Sequence, residues 1–426
     1  MDYNVKEYGA IGDGIFVNTT AIQNAIDACN KHGGGRVVLE NGVFVTGTLY
    51  MKSNVELYVD VTATILGSPN IDDYTQDTHV QLYRNETALN RCLIFCENLE
   101  NIAFSGRGVI DGNGAAFCNR EGRSNNQRPM LLRYLNCTNI HISDLRLMNP
   151  ASWTNAFILC NKIWVRNITI RSRVNGNGDG LDFDACQNVY VSDCDLDCSD
   201  DCICLQNSEE DRVCKNIVIT NCIMCSKWAG MRIGLLSCGD IENLTVTNCI
   251  FRDIGCSALK IQASEGANVQ NLLFENLIME NVQRPLFITQ NYYRERINRP
   301  EDISTKGSVH DVYIHNVIAT AMMDTGDAGK SCVVIDAEDD GGIRNIHLSD
   351  FYMTVQGGMR DEASLKDVPT HNQKRAECFN YKGQLPAYGL FARNSQNIKL
   401  TRFRVSMMRQ DEREMVCTIN STIEKE

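Results

Sequence analysis

Short apolar strands introduced by asparagine recur down this chain, as Asn101-Ile102, Asn139-Ile140, Asn188-Val189, Asn216-Ile217, Asn243-Leu244, Asn271-Leu272, Asn345-Ile346 and Asn397-Ile398. An imperfect copy stands at Lys162-Ile163. Through the middle of the sequence the interval is roughly 23 to 28 residues, about one coil of a β-solenoid. Each copy then alternates apolar and polar residues, as in Ile217-Val218-Ile219-Thr220-Asn221-Cys222-Ile223, the pattern of a half-buried strand. A unit this short cannot bury its apolar side alone, but a stack of such units can. The repeat therefore predicts an all-β fold, a single-stranded right-handed parallel β-helix.

The recurring asparagines suit turns, since the side chain bonds nearby backbone and tolerates left-handed conformations. Stacked copies predict an internal amide ladder. Cysteines recur in phase as well: Cys160, Cys186 and Cys214 precede the strand, while Cys194, Cys222 and Cys249 lie within it. Small thiols of this kind fill inward positions. Cys222-Ile223-Met224-Cys225 has metal-pair spacing, but a lone pair of cysteines makes a poor metal site, and no metal is expected.

The chain reads as one β-helix domain over residues 1–426, with an N-terminal cap region at 1–40, regular coils over about 95–350, and C-terminal coils and loops at 351–426. Thr20-Ala21-Ile22-Gln23 resembles a capping box opening a helix whose apolar face is Ile22, Ala25, Ile26 and Cys29, closed by Gly33-Gly34-Gly35. Such a helix would cap the raw end of the solenoid against edge-to-edge pairing. Gln290 to Lys306 and Gln356 to Pro386 read as long excursions flanking a groove.

With 426 residues, 43% hydrophobic content and 31 glycines, the chain can bury a large core of short strands. Its formal charge of -12 supplies no basic surplus for nucleic acid or anionic membrane. No stretch approaches the roughly 18 apolar residues of a membrane span. Met1-Asp2-Tyr3-Asn4-Val5-Lys6-Glu7 lacks the pattern of a secretion signal, and 20 cysteines in a long chain fit a reducing compartment. The expectation is a soluble, cytoplasmic protein; its oligomeric state is not legible.

Candidate chemistry concentrates at Asn177-Gly178-Asp179 and Asp200-Asp201. One coil separates them, which would place Asp179 and Asp200 on strands roughly 4.8 Å apart. Crowded carboxylates can hold an acid beside a base, the equipment for breaking a glycosidic bond. Asp182, Asp184, Asp193, Asp195 and Asp197 read mostly as solvated or turn residues. Consecutive strand residues face opposite sides, so Asp200 must sit in the turn before the strand. Asp201 would then face outward with Ile203 and Leu205, with Cys202 and Cys204 inward. His141, His310, His315, His347 and His371 show no spacing for a metal or a triad, and the glycine runs lack phosphate-loop context.

The opening Val5-Lys6-Glu7-Tyr8-Gly9-Ala10-Ile11-Gly12-Asp13-Gly14 is similar to that of many pectin-lyase-like β-helix proteins. Gly106-Arg107-Gly108-Val109-Ile110-Asp111-Gly112-Asn113-Gly114, followed by Asn149-Pro150-Ala151-Ser152-Trp153, resembles glycoside hydrolase family 28, which includes the polygalacturonases. The family's Asn-x-Asp and Asp-Asp signatures are matched by Asn177-Gly178-Asp179 and Asp200-Asp201-Cys202-Ile203. The resemblance implies that Asp200 is the general acid, that Asp179 and Asp201 activate water, and that Asn177 orients the cluster or the sugar.

Two departures qualify this. The family's Gly-His-Gly falls at Trp228-Ala229-Gly230, and its Arg-Ile-Lys at Lys260-Ile261-Gln262. Lys260 keeps a charge but not the fork of Arg, and Gln262 offers neutral hydrogen bonding. Arg232 either compensates as a ligand for a substrate carboxylate or pairs with the acid cluster. Tyr292, in Gln290-Asn291-Tyr292-Tyr293, could stack on a sugar or simply pack. The expected activity is an inverting, exo-acting glycoside hydrolase on pectin-derived or related oligosaccharides, without cofactor, and not an ordinary polygalacturonase. A noncatalytic carbohydrate-binding β-helix and a polysaccharide lyase or uronate epimerase are the alternatives.

Overall fold

A computed structural model describes residues 1–76, 78, 82, 89–118, 127–296, 306–323, 332–360, 368 and 385–426. The chain forms two compact units, Met1–Asp200 and Asp201–Glu426. Each is a right-handed parallel β-helix, built from strands that pair in register with the strand one coil later.

In the first unit one lane of strands runs through Glu100–Ser105, Thr138–Ser143, Asn161–Arg166 and Gln187–Ser192. It aligns Ile102, Ile140, Ile163 and Val189 in a single buried column. A second lane, Met130–Leu135, Asn155–Ile158 and Leu181–Asp184, aligns Tyr134, Phe157 and Phe183. These rings stack inside the coils, with centroids 4.4 and 4.9 Å apart. The alternation read from sequence is thus the inward and outward sides of each strand.

The second unit repeats the plan with longer strands, such as Ile241–Ile254 and Asn268–Val282. Left-handed residues inside them, including Asn248 and Asn276, let the chain turn a corner while the pairing continues. Its other lane contains Ile203–Asn207, Ala229–Ser237, Ser257–Ala263 and Leu286–Gln290.

The amide ladder exists, but it is not internal. Asn101 donates to Asn54 at 2.9 Å and Asn139 to Asn101 at 2.6 Å, in exposed positions. In the second unit Asn271 donates to Asn243 and Asn397 to Asn345. Each of these donors has φ between 54° and 57°, so the asparagine occupies a turn apex and its amide projects toward solvent. The cysteines do point inward: Cys160, Cys186, Cys194, Cys214, Cys222 and Cys249 are all buried. Stripped of water, the Cys160 thiol is pushed well above its usual pKa.

The helix spans Thr19–Lys31, and its buried face is Ala21, Ile22, Ala25, Ile26 and Cys29. The capping box read at Thr20 is replaced by another device. Asn18 stands at the N-cap and makes no side-chain cap bond, because its amide already serves Ile11 and Phe16. Gln23, expected to close the box, instead exchanges two hydrogen bonds with the backbone of Tyr50. Gly33, Gly34 and Gly35 follow the helix with positive φ, as a stop signal should. The excursions at 290–306 and 356–386 lie largely outside the described residues.

Candidate active site

Asp179 is held by a tight turn that leaves its backbone little freedom. Ser172 Oγ donates to the Gly178 carbonyl at 2.6 Å, and Gly178 N–H donates to Ser199 Oγ at 3.0 Å. The Asn177 N–H donates to Asn175 Oδ1, whose own amide donates to the Pro150 carbonyl at 2.7 Å. Thr154 gives both its N–H and its hydroxyl to the Asp179 carbonyl. Asn177 Oδ1 accepts from Arg128 Nη2 at 2.9 Å. Asn177 is thereby tied to the scaffold through its oxygen.

Only glycine fits at 178. A Cβ there would lie 1.9 Å from the Ser172 carbonyl oxygen, and Ser199 Oγ would be 2.7 Å away. The neighbour is backbone, so relief requires moving the turn. Gly178→Ala is expected to cost about 1–3 kcal/mol and to displace Asp179, lowering kcat more than it raises KM. Thermal unfolding and steady-state kinetics on the same preparation check this; an unchanged Tm would mean the turn yields.

Asp179, buried, and Asp200, half-buried, bring carboxylate oxygens within 4.8 Å of each other. They arrive there from positions one coil apart, as the repeat requires. Asp201 follows Asp200 directly in the chain and opens the second unit. Asn175, Asn177 and Ser199 already direct their oxygens to internal donors, one of them the Arg128 guanidinium.

In the second unit Asp201 is 1% exposed, and its Oδ2 accepts from Arg232 Nη1 at 3.2 Å. The other arm of Arg232 donates to Gln262 Oε1, also at 3.2 Å. Gln262 in turn reaches Thr289 Oγ1. Lys260 is fully buried, with its ammonium 4.9 Å from the centre of the Trp228 ring. The register aligns Cys204, Arg232, Lys260 and Phe287 on one side of this lane, and Ile203, Met231, Leu259 and Leu286 on the other. This reverses the reading of Cys204 as inward and of Ile203 and Leu205 as outward. The strand begins only at Ile203, so Asp201 and Cys202 precede its alternation and do not set its phase. The aliphatic column takes the core.

Residues 29–378 match the model for glycosyl hydrolases family 28. The chain belongs to this family. It is 26% identical to a "Probable polygalacturonase" of Vitis vinifera, over 68% of this chain and 63% of that protein. It is 27% identical to the Exo-poly-alpha-D-galacturonosidase of Dickeya chrysanthemi, over 68% of this chain and 57% of the relative. The chain thus spans about three fifths of the length of these two relatives. Among solved structures, the family 28 exopolygalacturonase of Yersinia enterocolitica shares the fold with a TM-score of 0.74, at 19% identity. That match covers all of this chain and 77% of the other.

Other positions in this family 28 chain fall outside the acid cluster. The Tyr292 hydroxyl bonds the Asp339 carboxylate, and burial with that neighbour pushes the phenol up to about 12. Gln290 and Lys306 also reach Asp339, so Tyr292 belongs to a polar knot. Asp195 pairs with Arg171 at 2.9 Å, and Asp197 pairs with Arg173. Asp193 occupies a left-handed turn position. His310 bonds Asp311 and His315 bonds Ser349; His371 lies outside the described residues. Sequence reasoning missed Arg128, Asn175 and Ser199, of which only Ser199, beside the Asp pair, carried a positional hint; Trp228 was placed in the segment aligned with the family's Gly-His-Gly but given no role.

Proposed function

We propose that this protein is an inverting glycoside hydrolase that cleaves glycosidic bonds in pectin-derived or related oligosaccharides. The observation that carries the proposal is the Asp179–Asp200 pair, which a family 28 scaffold holds with oxygens within 4.8 Å. Asp200 acts as general acid on the departing oxygen, and Asp179 with Asp201 as base toward water. The pair is closer than the roughly 6.5–9.5 Å usual between carboxyl groups of inverting enzymes, so family membership carries the inverting assignment and the product's anomeric form tests it. NMR of fresh product is expected to show the anomer opposite to the cleaved bond; the same anomer would indicate a retaining reaction and overturn the assignment.

The substrate differs from an ordinary polygalacturonan end in one respect. Ala229 and Gln262 stand where the family pattern has His and Lys, Arg232 faces Asp201, and Lys260 lies against Trp228. This set offers a substrate carboxylate fewer outward charges, which supports a modified or neutral residue beside the cleaved bond. Exo action is part of the same reading and is supported by the name of the Dickeya relative. A panel of pectic and neutral oligosaccharides checks both points: terminal release supports exo action, and mid-chain cleavage overturns it. Products absorbing in the ultraviolet would favour a lyase, and no turnover of any member would favour a binding module.

A further inference from the structure

We propose a second, noncatalytic saccharide site on the first unit, taking a uronate-bearing oligosaccharide with one carboxylate on Lys162. The amide ladder that runs through Asn54, Asn101 and Asn139 meets Lys162 where the next ladder asparagine would stand. Lys162 keeps the left-handed conformation, φ 57°, that asparagine tolerates better than lysine. The ladder breaks there, and Asn188 donates sideways to Asn161 at 2.8 Å. At the break lies a cleft of about 580 Å³, whose walls include Asn101, Asn139, Lys162, Trp164, Asn188 and Tyr190.

One wall is rigid before any ligand arrives. His141, Trp164 and Tyr190 occupy one register column and stack at 4.6 and 5.5 Å, with interplanar angles of 5° and 13°. His141 is further fixed to Asn139 Oδ1 at 3.0 Å. Tyr190 is 42% exposed, so the stack presents large aromatic surface that needs no ordering on binding. Coils repeat at roughly 4.8 Å, on the order of one pyranose width. A repeating ligand can therefore place successive rings beside successive amides. Hydroxyl groups match the amides, and sugar C–H edges match the aromatic wall.

Charge sets the class of ligand. Lys162 has no ion-pair partner among the described residues. The cleft's carboxylate, Glu100, lies two coils away, aligned through Thr138 with Asn161. An acidic sugar at Lys162 is thus attracted locally even though the chain is acidic overall. These residues lie on the outward side of a different strand lane from the one bearing Leu181–Asp184, so this is not the site of the acid pair. The choice of uronate rests on the pectic reading above, whereas the existence of the site does not.

The test uses the full chain carrying Asp200→Asn, to prevent turnover, and follows the Trp164 indole N–H by NMR during titration with galacturonate trimer or galactose trimer. The Trp164 signal is assigned by its loss in Trp164→Phe. The acidic trimer is expected to shift it in a saturable manner, with the neutral trimer weaker. Lys162→Asn restores the ladder residue and should preserve the fold; it is expected to weaken the acidic trimer about tenfold and erase the preference. Binding of both trimers alike, unaffected by Lys162→Asn, overturns the uronate assignment. A Trp164 signal unmoved by either trimer overturns the site. Failure of turnover by the wild-type chain, with Trp164 still shifting, would sink only the catalytic reading.

Discussion

Asp200→Asn is expected to lower kcat by about 10²- to 10⁴-fold, with KM and thermal midpoint little changed. Asparagine preserves the size of the side chain but has no proton to give the departing oxygen. Because that proton moves only as the bond breaks, the loss falls on the transition state and not on binding. Asp179→Asn should also reduce kcat, but the reason differs: its carboxylate is lost from a position fixed by Thr154 and the Ser172–Gly178 turn. Steady-state kinetics on a cleavable oligosaccharide, with a sugar whose leaving group needs no protonation as comparison, separates the two. The activated sugar should rescue Asp200→Asn and not Asp179→Asn. Equal rescue of both, or wild-type turnover by Asp200→Asn, would remove the acid from position 200.

Much of this was legible because a solenoid converts sequence period directly into contact. Asn101, Asn139 and the aliphatic residue after each are one coil apart in sequence and one strand apart in space, so a repeat read by eye yields real neighbours. The same logic brought Asp179 to Asp200. Where it failed, phase was at fault. The asparagines recur at turn apices, and recurrence alone does not say whether a turn residue projects inward; the left-handed backbone turns the amides outward. At Asp201-Cys202-Ile203, alternation was extended across residues that precede the strand, which inverted the inward and outward sides.

The supporting residues were illegible for a different reason. Arg128 reaches Asn177 across 49 positions, and Asn175 reaches back to Pro150. These contacts follow from loops of unequal length, which no period encodes. Thr20 and Gln23 fit a capping box locally, yet Gln23 gains more from two bonds to Tyr50 because tertiary partners outcompete a local motif. Trp228 stands in the segment aligned with the family's Gly-His-Gly, but that alignment carries no information about Lys260. Its place beside Lys260 follows from the register of two strands that the sequence locates only approximately.

Arg232→Ala should separate the two roles that sequence left open for this residue, and its effect on stability should be the largest of the site substitutions. Arg232 is 3% exposed and holds Asp201 and Gln262 at 3.2 Å each, and these two bonds are the ground for expecting a structural role. Removing a guanidinium from a buried carboxylate typically costs about 3–5 kcal/mol, because the remaining charge keeps its desolvation penalty. Asp201 would then lose the contact that fixes its carboxylate, and a misplaced carboxylate is a poorer base toward water. The expected result is a clear fall in the denaturation midpoint together with a fall in kcat, while KM changes little. Arg232→Lys should recover part of the stability but little of the geometry, since an ammonium cannot span Asp201 and Gln262 as the two arms of a guanidinium do. A substrate-gripping role would leave a different trace: KM would rise for acidic oligosaccharides alone, with stability near wild type. That pattern would return Arg232 to the binding surface and require another cation to hold Asp201.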